Sequence, residues 1–159
     1  MTYFRDTIER MAGYTPGFQP TSTDVVKLNT NENPYPPSPK VLQAVRDLSA
    51  ESFRRYPDPM GGVFRRAAAS VLNVGPDQIL CTNGGDDLLN VCLRACCGPN
   101  RPLAYAEPTY SLYPVLGQLR GCEVIAVERG ADGGLAALAR ADAALTIVCN
   151  PNAPTGELL

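Results

Sequence analysis

The sequence predicts an α/β fold of three layers, a mostly parallel sheet flanked by helices, preceded by an amino-terminal arm. Three observations lead there. From Gln78 onward, short apolar runs alternate with helical patterns, as in βαβ units. Each run ends in a turn rich in glycine, proline or asparagine. With 159 residues, 45% of them hydrophobic, the chain is long enough to bury a real core.

The elements follow in order. Residues Met1 to Met11 read as a short amphipathic, mixed-charge helix with Phe4, Ile8 and Met11 on one face, broken by Gly13-Tyr14-Thr15-Pro16-Gly17. Val25-Val26-Lys27-Leu28 can extend as a short strand. The stretch from Asn29 to Pro37 cannot be helix, because Pro34, Pro36 and Pro37 remove donors and push their predecessors to extended conformations. Ser38 and Pro39 then open a helix as N-cap and first helical residue, with Val41, Leu42, Val45 and Leu48 as its apolar stripe. Arg54 to Pro59 is a non-helical connector. A further helix carries Val63, Phe64, Ala67, Ala68, Val71 and Leu72 and ends near Gly75-Pro76.

The alternating part begins with a strand at Ile79 to Thr82, a turn at Asn83 to Asp87 and a helix from Leu88 to Cys97, stopped by Gly98-Pro99. A strand at Leu103 to Ala106 leads to a helix from Tyr110 to Leu119 that accommodates Pro114 early. Strands at Val124 to Val127 and Ala144 to Cys149 complete the pattern. The domain reading is an arm and cleft wall over 1–37 and a sheet domain over 38–159.

Composition narrows the function. A formal net charge of −2 and scattered arginines provide no basic stripe for a nucleic-acid backbone. No apolar run approaches the roughly 20 residues of a membrane span, and the first residues do not read as a signal peptide, so the expectation is a soluble, cytoplasmic protein. The six cysteines, Cys81, Cys92, Cys96, Cys97, Cys122 and Cys149, lie in apolar segments and are expected to be buried free thiols. With no histidine and no Cys-x-x-Cys pair, a zinc site or a Cys/His nucleophile has little to build on, and no metal is expected.

Ligands of such sheets sit outside the carboxyl ends of the strands. After the first strand, Gly84-Gly85-Asp86 lets backbone approach a ligand and offers the free N–H groups of a new helix to an anion, although an ordinary helix start reads the same way. After the second, Glu107-Pro108-Thr109-Tyr110 places an aromatic ring at the mouth of the cleft, either to stack on a flat cofactor or simply as core. After the last comes Asn150 to Gly156, a rigid turn bearing amides. The asparagine-rich stretch at 29–33 suits either a surface loop or a preorganised pocket wall. A nicotinamide-type nucleotide domain is weakened by the lack of a G-x-G-x-x-G turn.

Met11–Gly17, Lys27–Pro37, Arg55–Pro57, Glu107–Tyr110 and Asn150–Gly156, in this order along nearly the whole chain, resemble histidinol-phosphate aminotransferases, which are fold type I pyridoxal-phosphate enzymes. The resemblance implies pyridoxal 5'-phosphate as cofactor, glutamate/2-oxoglutarate and imidazole-acetol phosphate/histidinol phosphate as small-molecule partners, and a homodimer. Gly85 and Asp86 match the turn whose backbone amides bind the cofactor phosphate, and Tyr110 the ring that stacks on the pyridine. Tyr56 matches a tyrosine reaching the cofactor of the other subunit. Asn31, Asn33 and Tyr35 match the wall of the substrate cleft. The family's asparagine for the cofactor's ring hydroxyl stands just before Pro-Thr-Gly; here that position is Ala153, and Asn152 is the available substitute.

Transamination needs a lysine to carry the cofactor as a Schiff base and to move a proton. The sequence has two, Lys27 and Lys40, and neither follows a strand end. The chain therefore reads as an amino-terminal fragment without a catalytic residue of its own, expected to be inactive alone and prone to aggregate through its open sheet edge. An aromatic or broad-range aminotransferase, a threonine-phosphate decarboxylase, or a noncatalytic phosphate-binding or dimerisation module would share these turns.

Overall fold

Parallel pairing needs each strand to be followed by a crossover long enough to return the chain to the same edge, and the runs read as strands from Leu103 onward satisfy this. In the computed structural model, which describes residues 2–12, 17–22 and 24–159, β1 (Leu103–Glu107), β2 (Val124–Glu128) and β3 (Leu145–Ile147) form one parallel sheet in the order β2-β1-β3. Leu103 stands opposite Val124 on one side and Leu145 on the other, and Tyr105 opposite Ala126 and Ile147.

Alternation along the strands sorts the side chains onto two faces. Leu103 and Tyr105 pack with Leu93 and Cys97 of the α5 region and with Tyr113 and Leu116 of α6, where α5 is Gly85–Cys96 and α6 is Leu112–Arg120. Ala104 and Ala106 face Leu138 of the short helix α7 (Leu135–Leu138), with Ile125 and Val127 beside them. The small residues on that face are a requirement of close packing. A Cβ on Gly134 would lie 2.8 Å from the Ala106 Cβ, and φ at Gly134 is +80°. On the opposite face, a Cβ on Gly117 would lie 2.6 Å from Val124 Cγ2, so glycine lets α6 approach β2. Helices on both faces of a parallel sheet make the predicted three layers. Asp132 starts α7 by accepting from the N–H groups of Gly134 (3.0 Å) and Ala136 (2.9 Å).

The chain divides into two compact units, residues 1–15 with 82–159 and residues 16–81. In the first, α1 (Asp6–Glu9) lies against α6, with Arg5 donating to the Leu119 carbonyl at 3.1 Å. In the second, α2 (Pro39–Arg46) is capped by Ser38, whose hydroxyl accepts from the Lys40 N–H, and α3 (Ala50–Arg54) by Ser49. Helix α4 (Gly62–Leu72) is bounded by left-handed residues at Gly61 and Asn73.

Several expectations are corrected. Val25–Leu28 is not a strand, and Ile79–Thr82 is extended at Ile79 without being laddered, because no neighbouring backbone among the described residues offers either run its hydrogen bonds. The first helix spans four residues and leaves Phe4 and Met11 outside it; of the run expected to break it, residues 13–16 lie outside the described residues. Helix α6 starts at Leu112 rather than Tyr110, which places Pro114 in its first turn, where no backbone donor is needed. The last strand is three residues rather than six. The stripe of Val41, Leu42, Val45 and Leu48 is exposed. All six cysteines are free, but only Cys97 is buried and Cys81 is exposed. Helices α3 and α7 were not foreseen; each is a turn or so long, too short for a periodic signal.

Candidate cofactor site at the strand ends

Helix α5 begins without a side-chain cap. Gly84 takes φ +85°, outside the range of ordinary residues, and the N–H groups of the first turn point away from the helix with its positive dipole end behind them. A Cβ added to Gly84 or Gly85 would meet nothing within 4 Å among the described residues, which leaves room for a ligand at the turn. Two aspartates stand in this first turn, and each has a neighbour to bind. Asp87 accepts from the Asn83 N–H at 3.0 Å, and Asp86 accepts from the Tyr110 hydroxyl at 3.1 and 3.2 Å to its two oxygens.

That last bond joins residues 24 apart in sequence and hangs the Tyr110 ring beside the start of α5. The ring is held from its other side by Tyr113, whose centroid is 5.7 Å away at 86°, and Tyr113 in turn packs 5.7 Å from Tyr105. Burial pushes the Tyr105 phenol up to about 12, with the Glu107 carboxylate adding to the effect, and burial likewise raises Tyr113. These two rings stay neutral supports over the physiological range.

The turn after β3 is tied to the turn after β1. Asn152 is 2% exposed; its Oδ1 accepts from the Thr109 hydroxyl at 2.9 Å, and its Nδ2 donates to the Pro108 carbonyl (3.0 Å) and to Thr155 Oγ1 (2.9 Å). Its backbone closes the turn as well, with N–H to the Glu157 carbonyl at 2.8 Å and carbonyl from the Gly156 N–H at 2.7 Å. The peptide bonds before Pro108, Pro151 and Pro154 are cis. Cys149 sits at the start of this turn. Burial alone would raise its thiol, but polar neighbours, first among them the Tyr113 hydroxyl and the Ala153 amide, outweigh burial and leave it below the ordinary cysteine value.

A cleft of about 690 Å³ opens beside Tyr110, walled by Tyr105, Glu107, Thr109, Ala126 and Glu128. Gly85 and Asp86 are not among its walls; the free N–H groups lie at the start of α5. The α5 terminus is the better anion end of the site.

Gly85, Asp86, Tyr110 and Asn152 are thus brought to one edge of the sheet, the last through Thr109, the residue before Tyr110. Asn31, Asn33, Tyr35 and Tyr56 belong to the unit 16–81. There Asn33 Oδ1 accepts from the Tyr35 N–H at 3.0 Å, Asn31 takes a left-handed φ of 53°, and both tyrosine side chains are exposed. Lys27 is tied to Glu32 and Gln19, and Lys40 lies in the first turn of α2.

Sequence reasoning passed over Arg129. It is buried, its Nε pairs with Glu157 Oε2 at 2.8 Å, and its Nη2 is buried with no hydrogen-bond partner among the described residues. Its place directly after β2 was the available signal. The same is true of Thr109, which was read only as the neighbour of Tyr110.

A family model, aminotransferase class I and II, matches residues 23–159. The chain belongs to the class I and II aminotransferases. Among individual aminotransferases, histidinol-phosphate aminotransferase 1 of Trichormus variabilis is 45% identical over 99% of this chain, and the chain spans 46% of that protein's length. The crystal structure of histidinol-phosphate aminotransferase from Sinorhizobium meliloti in complex with pyridoxal-5'-phosphate superposes with a TM-score of 0.70 at 27% identity, over 79% of this chain and 35% of that one. That of L-threonine-O-3-phosphate decarboxylase from Porphyromonas gingivalis gives 0.55 at 30% identity, over 67% of this chain and 33% of the other. The strand-end turns of this aminotransferase chain therefore stand on the fold that these relatives use.

Proposed function

We propose that this chain is the cofactor-holding amino-terminal part of a histidinol-phosphate aminotransferase, with 1–37 as arm and cleft wall and 38–159 as part of the cofactor domain. The observation that carries the reading is the bond from Tyr110 to Asp86, which sets an aromatic face beside an uncapped helix start whose front is open. Those two features fit a flat, phosphorylated cofactor such as pyridoxal 5'-phosphate. When bound, it supplies the electron sink through which an amino group passes between an amino acid and a keto compound.

The chain's own residues do the holding. The first N–H groups of α5, from Gly85 and Asp86, would hold the phosphate with the helix dipole aligned behind them. Tyr110 would hold the pyridine by stacking, and its hydroxyl bond to Asp86 keeps the aromatic ring beside the start of α5. Asn31, Asn33 and Tyr35 form a wall for the substrate, and Tyr56 serves the partner subunit's cofactor in a homodimer. The substrates on this reading are glutamate/2-oxoglutarate and imidazole-acetol phosphate, handled in the cytoplasm. Neither Lys27 nor Lys40 follows a strand along the sequence, so on this reading the chain holds the cofactor without moving the proton, and alone it is inactive. The 45% identity to a histidinol-phosphate aminotransferase favours this reading over a phosphothreonine decarboxylase, which the lower structural likeness also supports.

The test is a pyridoxal phosphate titration of the 159-residue chain, followed by absorbance, borohydride reduction and mass spectrometry. Saturable binding without a stoichiometric covalent adduct is expected. Absence of binding sinks the cofactor reading, and a stoichiometric adduct on Lys27 or Lys40 with turnover of an amino donor sinks the inactivity.

A further inference from the structure

Resting on the cofactor reading above, we infer that Asn152 is a positioning residue, the hub of a side-chain network joining the carboxyl ends of all three strands, and not a ligand of the cofactor. The network is continuous and its donors and acceptors agree in direction. After β1, the Thr109 hydroxyl donates to Asn152 Oδ1 at 2.9 Å. In the turn after β3, Asn152 Nδ2 donates to Thr155 Oγ1 at 2.9 Å, and the Thr155 hydroxyl donates to Glu157 Oε2 at 3.2 Å. At the end of β2, Arg129 Nε donates to that same carboxylate oxygen at 2.8 Å, while the Arg129 N–H holds the Glu107 carbonyl of β1 at 2.9 Å.

The carboxamide of Asn152 has two N–H donors. One is taken by the Pro108 carbonyl at 3.0 Å and the other by Thr155, in a residue that is 2% exposed. No donor remains for the ring hydroxyl of a cofactor, and freeing one would leave a buried acceptor without its partner. What Asn152 controls is the placement of Thr109, and through the chain Tyr110, the ring that reaches Asp86 at the phosphate turn. Arg129 and Glu157 anchor the other end. A buried cation paired to one carboxylate holds the Asn150–Gly156 turn against β2, because separating the pair would leave the guanidinium buried and uncompensated.

The experiment uses the 159-residue chain labelled with 15N, with the Asn152 side-chain signal assigned through Asn152→Asp. Its Nδ2 protons are expected to exchange slowly without cofactor and to stay in place on addition of pyridoxal phosphate, while backbone signals of Gly85 and Asp86 move. Thr155→Val is expected to weaken pyridoxal phosphate binding by about three- to tenfold, the worth of one part-buried hydrogen bond, and Thr155→Ser to restore it. Fast exchange of the Asn152 amide in the free chain, a cofactor-dependent shift of its Nδ2 signal as large as that at Gly85, or unchanged affinity in Thr155→Val each overturns the proposal. If no signal at residues 84–87 moves, the cofactor reading itself fails; the exchange rate measured in the free chain still decides whether Asn152 is the hub.

Discussion

In the unit containing 82–159, Leu93, Leu103 and Ala104 are fully buried; in the unit 16–81, Ala69 is the sole buried residue among those described, and Val63 and Val71 are 74% and 84% exposed. Both carry helices with apolar stripes. The difference lies in what each stripe meets. Helices α2, α3 and α4 are built from local devices, a serine cap or a left-handed terminus, and such devices need no tertiary partner. Helices α5 and α6 are amphipathic in the same way, but the sheet offers Leu103, Tyr105, Leu145 and Ile147 to their apolar sides. Amphipathicity states that a face will be buried if a surface is present. It does not supply the surface.

The sharpest way to break the comparison is to delete side chains on both sides of it. Leu103→Ala is expected to cost about 2–5 kcal/mol in a urea unfolding curve, because it opens a cavity between sheet and helices, while Val63→Ala stays within about 0.5 kcal/mol. Equal losses would mean that the unit 16–81 has a core of its own. Next in size is Gly134→Ala. Its left-handed φ and the 2.8 Å approach to the Ala106 Cβ predict a loss of about 1–3 kcal/mol, read from the thermal midpoint. A smaller effect is expected at Ser38, where alanine removes the α2 cap at about 1 kcal/mol and lowers the far-UV helical signal.

Smallest at neutral pH is the titration of the core, since Cys97 and Tyr105 are uncharged there in both folded and unfolded chains. Burial pushes Cys97 up to about 11, with Cys122 adding to it, and Tyr105 up to about 12. A group whose folded pKa is raised stabilises fully below its unfolded value and less as pH climbs past it. The contribution of these two groups to stability should therefore be constant below about pH 8 and be lost between about pH 9 and 12, the interval from the ordinary Cys and Tyr values to the raised ones. Iodoacetamide at pH 8 should label exposed Cys81 rapidly and spare Cys97; a modified Cys97 in the folded chain would contradict the burial that separates the two units.

Much of this was legible beforehand, for reasons that differ from residue to residue. Ser38-Pro39 announces a helix start because N-cap geometry is decided within a few residues. Gly84-Gly85 announces an uncapped turn for the same reason. Arg129 and Thr109 were passed over because their partners lie far along the chain: Thr109 and Asn152 are 43 residues apart, and Arg129 and Glu157 are 28. Val25–Leu28 and Ile79–Thr82 have strand-like composition and no ladder, because a strand is defined by its neighbour as much as by its residues.

By itself, the order of apolar runs and turns determined the three-layer parallel sheet, the placing of Tyr110 and Asn152 in turns after strands and that of Gly85 and Asp86 at a helix start, because periodicity and turn chemistry are local properties. Tertiary structure alone decided that Tyr110 hangs from Asp86, that Asn152 reaches across to Thr109 and Pro108, and that Arg129 is buried against Glu157. These are pairings between distant segments, chosen by the register of β2, β1 and β3, and no window of sequence contains both partners.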